Sequence, residues 1–308
     1  MKKVLVEHAL TEKQKQQFLA LSDKYEFVFG TEDKDAQIVV GNFSPAQIKE
    51  LKNLELYISA WVGYDAFIKK GVLKDSTLLV NAVDVHTEEV AEHMFVLMLS
   101  MVKNLHLYRD NQADHKWKDE GKVKSISELT VAILGLGHIG NLLAKYCKAL
   151  GMYVIGVKRT IDQKPDYVDE LLPIGDLDEI LPRVDVVLSV LPSSEQTKHM
   201  FTLDRFKLMK KDAILINAGR GDLIEPNLLC DVLDQGIISG VGQDVFEKEP
   251  IDENSRLWTT KRLAVTPHVA GFFHLDIASQ KFVDLAVENL KRYANNEELK
   301  YVVTEREQ

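Results

Sequence analysis

The junction at residues 130–157 constrains the fold more than any other part of this sequence. Thr130-Val131-Ala132-Ile133-Leu134 is a β-rich apolar run. It passes directly into Gly135-Leu136-Gly137-His138-Ile139-Gly140, then a helical stretch Asn141–Leu150, Gly151 and a second apolar run, Tyr153–Val157. A lone G-x-G-x-x-G is weak. The same glycines between a strand and a helix, with a second strand behind, specify a dinucleotide-binding βαβ unit. Gly135 permits the tight turn, Gly137 lets backbone approach a pyrophosphate, and Gly140 lets helix pack on strand. The start of the helix offers unpaired N–H groups and the positive end of its dipole. Cofactor contacts are therefore expected at Gly135, Gly137, His138, Ile139 and Gly140, with His138 meeting phosphate through its backbone.

The end of the second strand selects the cofactor. An acid about 20 residues past the glycines would bond the ribose 2′-hydroxyl of NAD. That place holds Lys158-Arg159-Thr160, with no acid until Asp162. Two cations and a hydroxyl suit a 2′-phosphate, Arg as a fork and Lys as a point charge. NADP(H) is the expected preference, with NAD possible.

Short apolar runs alternate with helical-period stretches along the chain. Strands are predicted at Lys3–Glu7, Glu26–Phe29, Gln37–Gly41, Leu54–Ala60 and Leu78–Asn81. A second series covers Thr130–Leu134, Tyr153–Val157, Val184–Val190, Ala213–Asn217, Ile238–Gln243 and Leu263–Thr266. This alternation indicates βαβ units and parallel sheets, and 308 residues suit two domains. A long helix is predicted from Thr87, as N-cap, to about Leu107, and a second from about Leu275 to Tyr293. The first is apolar nearly all round from Met94 to Val102, so it is expected to be buried between domains. Its Met94, Met98 and Met101 read as core or interface filler.

Composition narrows the class. A net charge of −9 and a pI near 5.5 disfavour nucleic acid and anionic membrane as partners. The densest apolar stretch falls well short of the about 20 residues that a spanning helix needs. Glu7 interrupts the N-terminus before any signal-peptide apolar region develops. Cys147 and Cys230 are too few and too far apart for a disulfide framework, and no His, Asp and Glu cluster has metal-ligand spacing. A cytoplasmic enzyme or metabolite-binding protein is expected.

Three later segments sit where strands end, the region in which open α/β sheets hold ligands. They are Asn217-Ala218-Gly219-Arg220-Gly221, Asp244-Val245-Phe246-Glu247-Lys248-Glu249-Pro250 and Thr266-Pro267-His268. Together with Ser59-Ala60-Trp61-Val62-Gly63-Tyr64-Asp65 and Glu88-Glu89-Val90-Ala91-Glu92-His93, they make nearly the whole chain resemble the D-isomer-specific 2-hydroxyacid dehydrogenase family. The resemblance implies two Rossmann-like or flavodoxin-like α/β domains with parallel sheets and the active site in the cleft between them. It places residues 1–100 with 273–308 in a substrate domain and 101–272 in a dinucleotide-binding domain. It implies a homodimer formed through the nucleotide domains.

Matched by motif, the family's catalytic Arg, Glu and His are Arg220, Glu249 and His268. The residue types suit the chemistry. A His can give a proton to a developing alkoxide near neutral pH. A carboxylate can orient that ring, and an Arg can hold the substrate carboxylate and polarise its keto oxygen. Glu247 is a competing carboxylate, and only the family pattern selects Glu249. Substrate is expected on the N–H groups of Val62 and Gly63 with Arg220 and His268. Further cofactor contacts are implied at Leu191, Pro192, Thr197, Ala218, Arg220, Asp244, His268 and Gly271.

The expected activity is hydride transfer between NADP(H) and a 2-oxo acid/D-2-hydroxy acid pair, in the direction of reduction. Alternatives are a non-catalytic dinucleotide sensor resembling the family's corepressor relatives, and a phosphoglycerate- or formate-type dehydrogenase. Trp61, Tyr64, Phe272 and Phe273 are bulkier than is usual in the family. They bear on the substrate and, as a pocket wall, favour uncharged side chains. His93, on the apolar helix, reads as structural, and His199 has no supporting context.

Overall fold

The structure is a computed structural model of the chain, and it describes residues 1–30, 32–161 and 163–304. Asp162 therefore lies outside the described residues. The chain divides into two compact units, Met1–His86 with Phe273–Gln308, and Thr87–Phe272.

The first unit carries β1 (Lys2–Glu7), α1 (Glu12–Leu19), β2 (Tyr25–Phe29), β3 (Ile38–Gly41), α2 (Pro45–Glu50), β4 (Leu56–Ser59) and β5 (Leu78–Val80). The five strands form one parallel sheet in the order β2-β1-β3-β4-β5. Thr11 and Ser44 close capping boxes on α1 and α2, so both helices start where a hydroxyl is followed three residues later by Gln.

The second unit carries α3 (Thr87–Val102), α4 (Leu105–Ala113), β6 (Thr130–Leu134), α5 (His138–Ala149), β7 (Tyr153–Lys158), β8 (Glu170–Pro173), α6 (Leu177–Ile180), β9 (Val186–Ser189), α7 (Leu203–Leu208), β10 (Ile214–Asn217), α8 (Pro226–Asp234), β11 (Gly240–Gln243) and β12 (Leu263–Val265). The chain then returns to the first unit with α9 (Asp276–Ala294). The seven strands run parallel in the order β12-β11-β10-β9-β6-β7-β8. Val131 to Leu134 are completely buried, as expected for a central strand covered on both faces. The strand order reverses between β6 and β9, and open α/β sheets hold ligands at such a point.

Four features differ from the sequence-based expectation. The helix predicted from Thr87 to Leu107 is two helices, broken at Asn104, whose φ of 56° is left-handed. The first piece, α3, belongs wholly to the second unit, so a boundary at residue 100 would cut it. It is not buried on every side either. Val90, Ala91, Met94, Met98 and Met101 enter the core, while Val96 stands 64% exposed. The fourth difference is β8, which among the described residues pairs only with β7 and ends in a proline. A half-buried edge strand of this length carries no alternating signal, and proline is tolerated there because no further strand needs its N–H. Among the described residues no helix is long and apolar enough to cross a membrane.

At the opposite end of the second sheet from the strand-end loops, Asp185 ties three segments together. Its carboxylate accepts from the Thr130 N–H at 2.8 Å, from Lys124 at 2.7 Å and from Lys210 at 2.9 Å. Removing it leaves Lys124 paired with Asp212 and frees Lys210 to reach water, but strands the amide. Asp185→Ala is therefore expected to lower unfolding stability by about 1–3 kcal/mol. An unchanged midpoint in urea denaturation would contradict that expectation.

Candidate active site

The site is built from the carboxyl ends of adjacent strands. Register places Leu134, Ser189, Asn217 and Gln243 side by side across β6, β9, β10 and β11. Every loop leaving these strands therefore starts on the same edge.

The first loop is the glycine turn. Gly135 sits at φ 97°, which L side chains rarely adopt. A Cβ on Gly140 would fall 1.9 Å from the Gly135 carbonyl oxygen, so helix and strand meet there with no room for a side chain. A Cβ on Gly137 would meet open space. Gly137 is the N-cap of α5 and makes no side-chain capping bond, so the helix start faces an open cradle with exposed His138 beside it. Backbone donors and helix dipole at that cradle fit a pyrophosphate. At the end of β7, Lys158 is half-buried, and Arg159 and Thr160 are exposed. The loop after β9 holds Leu191, Pro192 and Thr197. There the Thr197 hydroxyl donates to the Pro192 carbonyl at 2.7 Å.

The Arg220 loop is shaped by Asn217, which is completely buried. Its side chain donates to the Arg220 carbonyl at 2.9 Å and accepts from the Gly219 N–H at 3.1 Å. Close packing holds the loop from outside. A Cβ on Gly219 would lie 2.6 Å from the Leu191 oxygen, and one on Gly221 would lie 1.9 Å from the Phe246 carbonyl carbon. Sequence reasoning gave Asn217 no role of its own. Its place at the last residue of a buried strand, next to an Ala-Gly-Arg-Gly turn, was the available signal.

His268 and Glu249 meet directly. Glu249 Oε2 lies 2.7 Å from His268 Nδ1, and Glu249 Oε1 accepts from the Phe246 N–H at 2.7 Å. Glu247, the rival carboxylate, instead faces His199 at 3.4 Å. Geometry thus separates two acids that the sequence spacing left level. The Glu249 hydrogen bond raises the His268 pKa above the ordinary histidine value, against the opposing effect of burial. Burial also opposes ionisation of Glu249. The His268 and Phe246 bonds outweigh it and keep the carboxyl below the usual range, with Arg220 contributing in the same direction.

His268 has φ 53°, left-handed for a non-glycine residue. Asp244, 1% exposed, collects the amides around it. Its carbonyl accepts from the His268 N–H at 2.8 Å, and its carboxylate accepts from Val269 at 3.0 Å and Ala270 at 3.1 Å. Gly271 follows in the same turn. Strain of about 1–3 kcal/mol at such a residue persists only where surrounding bonds over-determine it.

The remaining expected residues, Val62 and Gly63, lie in the first unit, after β4. The carbonyls there are engaged, Trp61 O by the Ala82 N–H at 3.0 Å and Val62 O by Asn81 Nδ2 at 2.9 Å. Trp61 donates from its indole to Asn42 and stacks on His86, whose Nε2 lies 2.9 Å from the Ala60 carbonyl oxygen. The four aromatics do not behave alike. Phe273 packs into the first unit's core against His8, His86 and Phe282, and Tyr64 packs on that unit's other core cluster. Phe272, in the second unit, is 51% exposed.

Residues 95–270 match the family model described as D-isomer specific 2-hydroxyacid dehydrogenase, NAD binding domain. A probable 2-ketogluconate reductase of Dictyostelium discoideum is 35% identical over 70% of this chain and 66% of its own length. A glyoxylate reductase of Pyrococcus horikoshii is 31% identical over 77% of this chain and 72% of its own. Among solved structures, a D-isomer specific 2-hydroxyacid dehydrogenase family protein from Aeromonas salmonicida superposes with a TM-score of 0.83. It is 26% identical and covers 98% of each chain.

The His268–Glu249 bond makes a prediction that needs no substrate. By NMR, the His268 ring should hold its proton to higher pH than an ordinary histidine of pKa about 6.5. In Glu249→Gln the acceptor charge is gone, so the midpoint should move to lower pH. An unmoved midpoint would mean that the pair does not control the ring.

Proposed function

The chain belongs to the D-isomer-specific 2-hydroxyacid dehydrogenase family and is an NAD(P)-dependent 2-hydroxyacid dehydrogenase; from that premise we propose that it works as an NADPH-preferring reductase of 2-oxo acids to D-2-hydroxy acids. The observation that carries the reading is the 2.7 Å bond between His268 and Glu249 on the same sheet edge as Arg220 and the glycine cradle.

When bound in that cradle, the dinucleotide supplies the hydride. The chain's own residues do the rest. Gly135, Gly137, His138, Ile139 and Gly140 hold the pyrophosphate, and Leu191, Pro192, Thr197, Ala218, Asp244 and Gly271 border the remainder. Arg220 holds the substrate carboxylate. Arg220 also polarises the keto oxygen. His268 enters the reaction doubly protonated, with Nδ1–H held by Glu249. It gives the Nε2 proton to the oxygen that becomes the hydroxyl. The raised histidine pKa keeps the donor charged further into the neutral range, so reduction should fall away on the alkaline side.

The preference for NADPH is supported by Lys158, Arg159 and Thr160 at the end of β7, where an acid would instead favour NAD. Exposed Phe272 supports a preference for neutral side chains, because an anion set against apolar surface loses hydration without compensation. We also propose a homodimer through the second unit. Trp117 is fully exposed beside Tyr108 and a cavity of about 620 Å³, and uncovered aromatic surface of this kind is enriched at interfaces. Sedimentation velocity should find the dimer, and a monomer at micromolar concentration would remove that part of the proposal.

A panel of 2-oxo acids assayed with NADPH and with NADH tests the reading. The expected result is higher kcat/KM with NADPH, and neutral substrates reduced far better than phosphohydroxypyruvate or oxaloacetate. His268→Ala should lower turnover by about 10²-fold or more while cofactor binding survives. No turnover on any 2-oxo acid, or near-normal turnover in the His268 variant, would overturn it.

A further inference from the structure

His93 lies on α3, outside every segment that carries the proposed chemistry. Its Nε2 is nonetheless 3.0 Å from the Thr266 hydroxyl oxygen, and that hydroxyl donates to Asp244 Oδ1 at 2.6 Å. The direct separation of His93 Nε2 from Asp244 Oδ1 is 3.7 Å, so the hydroxyl is the link. The chain of bonds has one possible direction. An ionised carboxylate only accepts, and a hydroxyl has one proton to give. At 2.6 Å that proton belongs to the Asp244 bond, so the Thr266 oxygen must accept from His93. The ring therefore carries a hydrogen on Nε2. The other end of the relay is Asp244, whose remaining acceptors take the Val269 and Ala270 N–H groups.

We infer that His93 is a positioning residue for His268, acting through the Thr266 hydroxyl on Asp244 and so on the left-handed turn that presents the catalytic ring. The inference rests on the reading of His268 as proton donor. His93 does not touch the reacting atoms. Its N–H fixes which way the Thr266 proton points. Thr266, as the acceptor of one bond and donor of the next, aligns the carboxylate that gathers residues 268–270. α3 is anchored in the second unit's core by Val90, Ala91 and Met94, so the relay ends on a rigid element. A histidine that only filled space would make no demand on its ring hydrogen, and a leucine of similar volume would replace it.

The test compares His93→Leu, His93→Gln, Thr266→Val and the double variant His93→Leu/Thr266→Val. His93→Leu should lower kcat by about tenfold, the scale of a sub-ångström displacement of a catalytic group. KM for NADPH should stay within about twofold, since the phosphate cradle is not touched. His93→Gln keeps a side-chain N–H and should recover most of the loss. In the Thr266→Val background, adding His93→Leu should cost nothing further, because coupled residues are not additive. In the cofactor-free protein, amide exchange at Val269 and Ala270 should quicken in His93→Leu and slow again in His93→Gln. The inference is overturned by wild-type kcat in His93→Leu, by equal losses in Leu and Gln, or by losses that multiply in the double variant. If Thr266→Val does not fold, the Leu and Gln pair decides. Failure of the donor reading itself shows separately, as retained turnover in His268→Ala.

Discussion

The second unit's chemistry depends on one buried carboxylate. Asp244 closes β11 and has three consecutive amides, those of His268, Val269 and Ala270, delivered to its carbonyl and its two carboxylate oxygens. A buried anion is costly unless it is fully hydrogen-bonded. Asp244 satisfies that condition with backbone N–H groups and a hydroxyl, and the same bonds hold His268 at a positive φ that an isolated peptide would abandon. The carboxylate and the strained turn stabilise each other. From that turn the imidazole reaches Glu249, and from Glu249 the second oxygen reaches back to the Phe246 amide. Asp244 is thus held by backbone that follows β12, Glu249 by backbone of its own loop, and His268 by both carboxyl-bearing residues.

The sheet makes this possible. Parallel strands in register bring their carboxyl ends to one edge, so residues far apart in sequence become neighbours across a few ångströms. The cost is crowding. At Gly140 the helix meets the turn that follows its own strand, and at Gly219 against Leu191 and Gly221 against Phe246 loops from different strands touch, in each case with no space for a β-carbon. The glycines around Arg220 serve this closeness. They let the loop lie flat against its neighbours while Asn217 pins it from within.

Much of the fold was legible because parallel strands buried on both faces leave continuous apolar runs, and eleven of those runs contain observed strands. β8 escaped because an edge strand that is only half-buried leaves no such run. The break at Asn104 escaped for a related reason. Asn is among the residues that tolerate left-handed backbone, yet nothing in an apolar periodicity marks which Asn will adopt it. The four aromatics near the proposed substrate groups looked equivalent in sequence. Packing distinguished them, turning Phe273 inward to His8 and His86 and leaving Phe272 half exposed.

The sequence by itself determined the dinucleotide unit, the family, and which residue types could do acid–base and anion-binding work. Those are local properties, since a glycine turn needs only its flanking strand and helix, and a Lys-Arg pair carries its charge wherever it lies. Only the tertiary structure decided which acid serves His268. Glu247 and Glu249 are two residues apart with the same intrinsic chemistry, and the choice depends on the directions in which one loop turns them, one toward His199 and one toward His268. It also decided that His93, read from sequence as helix packing, joins Thr266 and Asp244. A hydrogen bond across residues 93 and 266 exists only after the sheet and α3 have brought them within 3.0 Å, and no spacing along the chain encodes that distance.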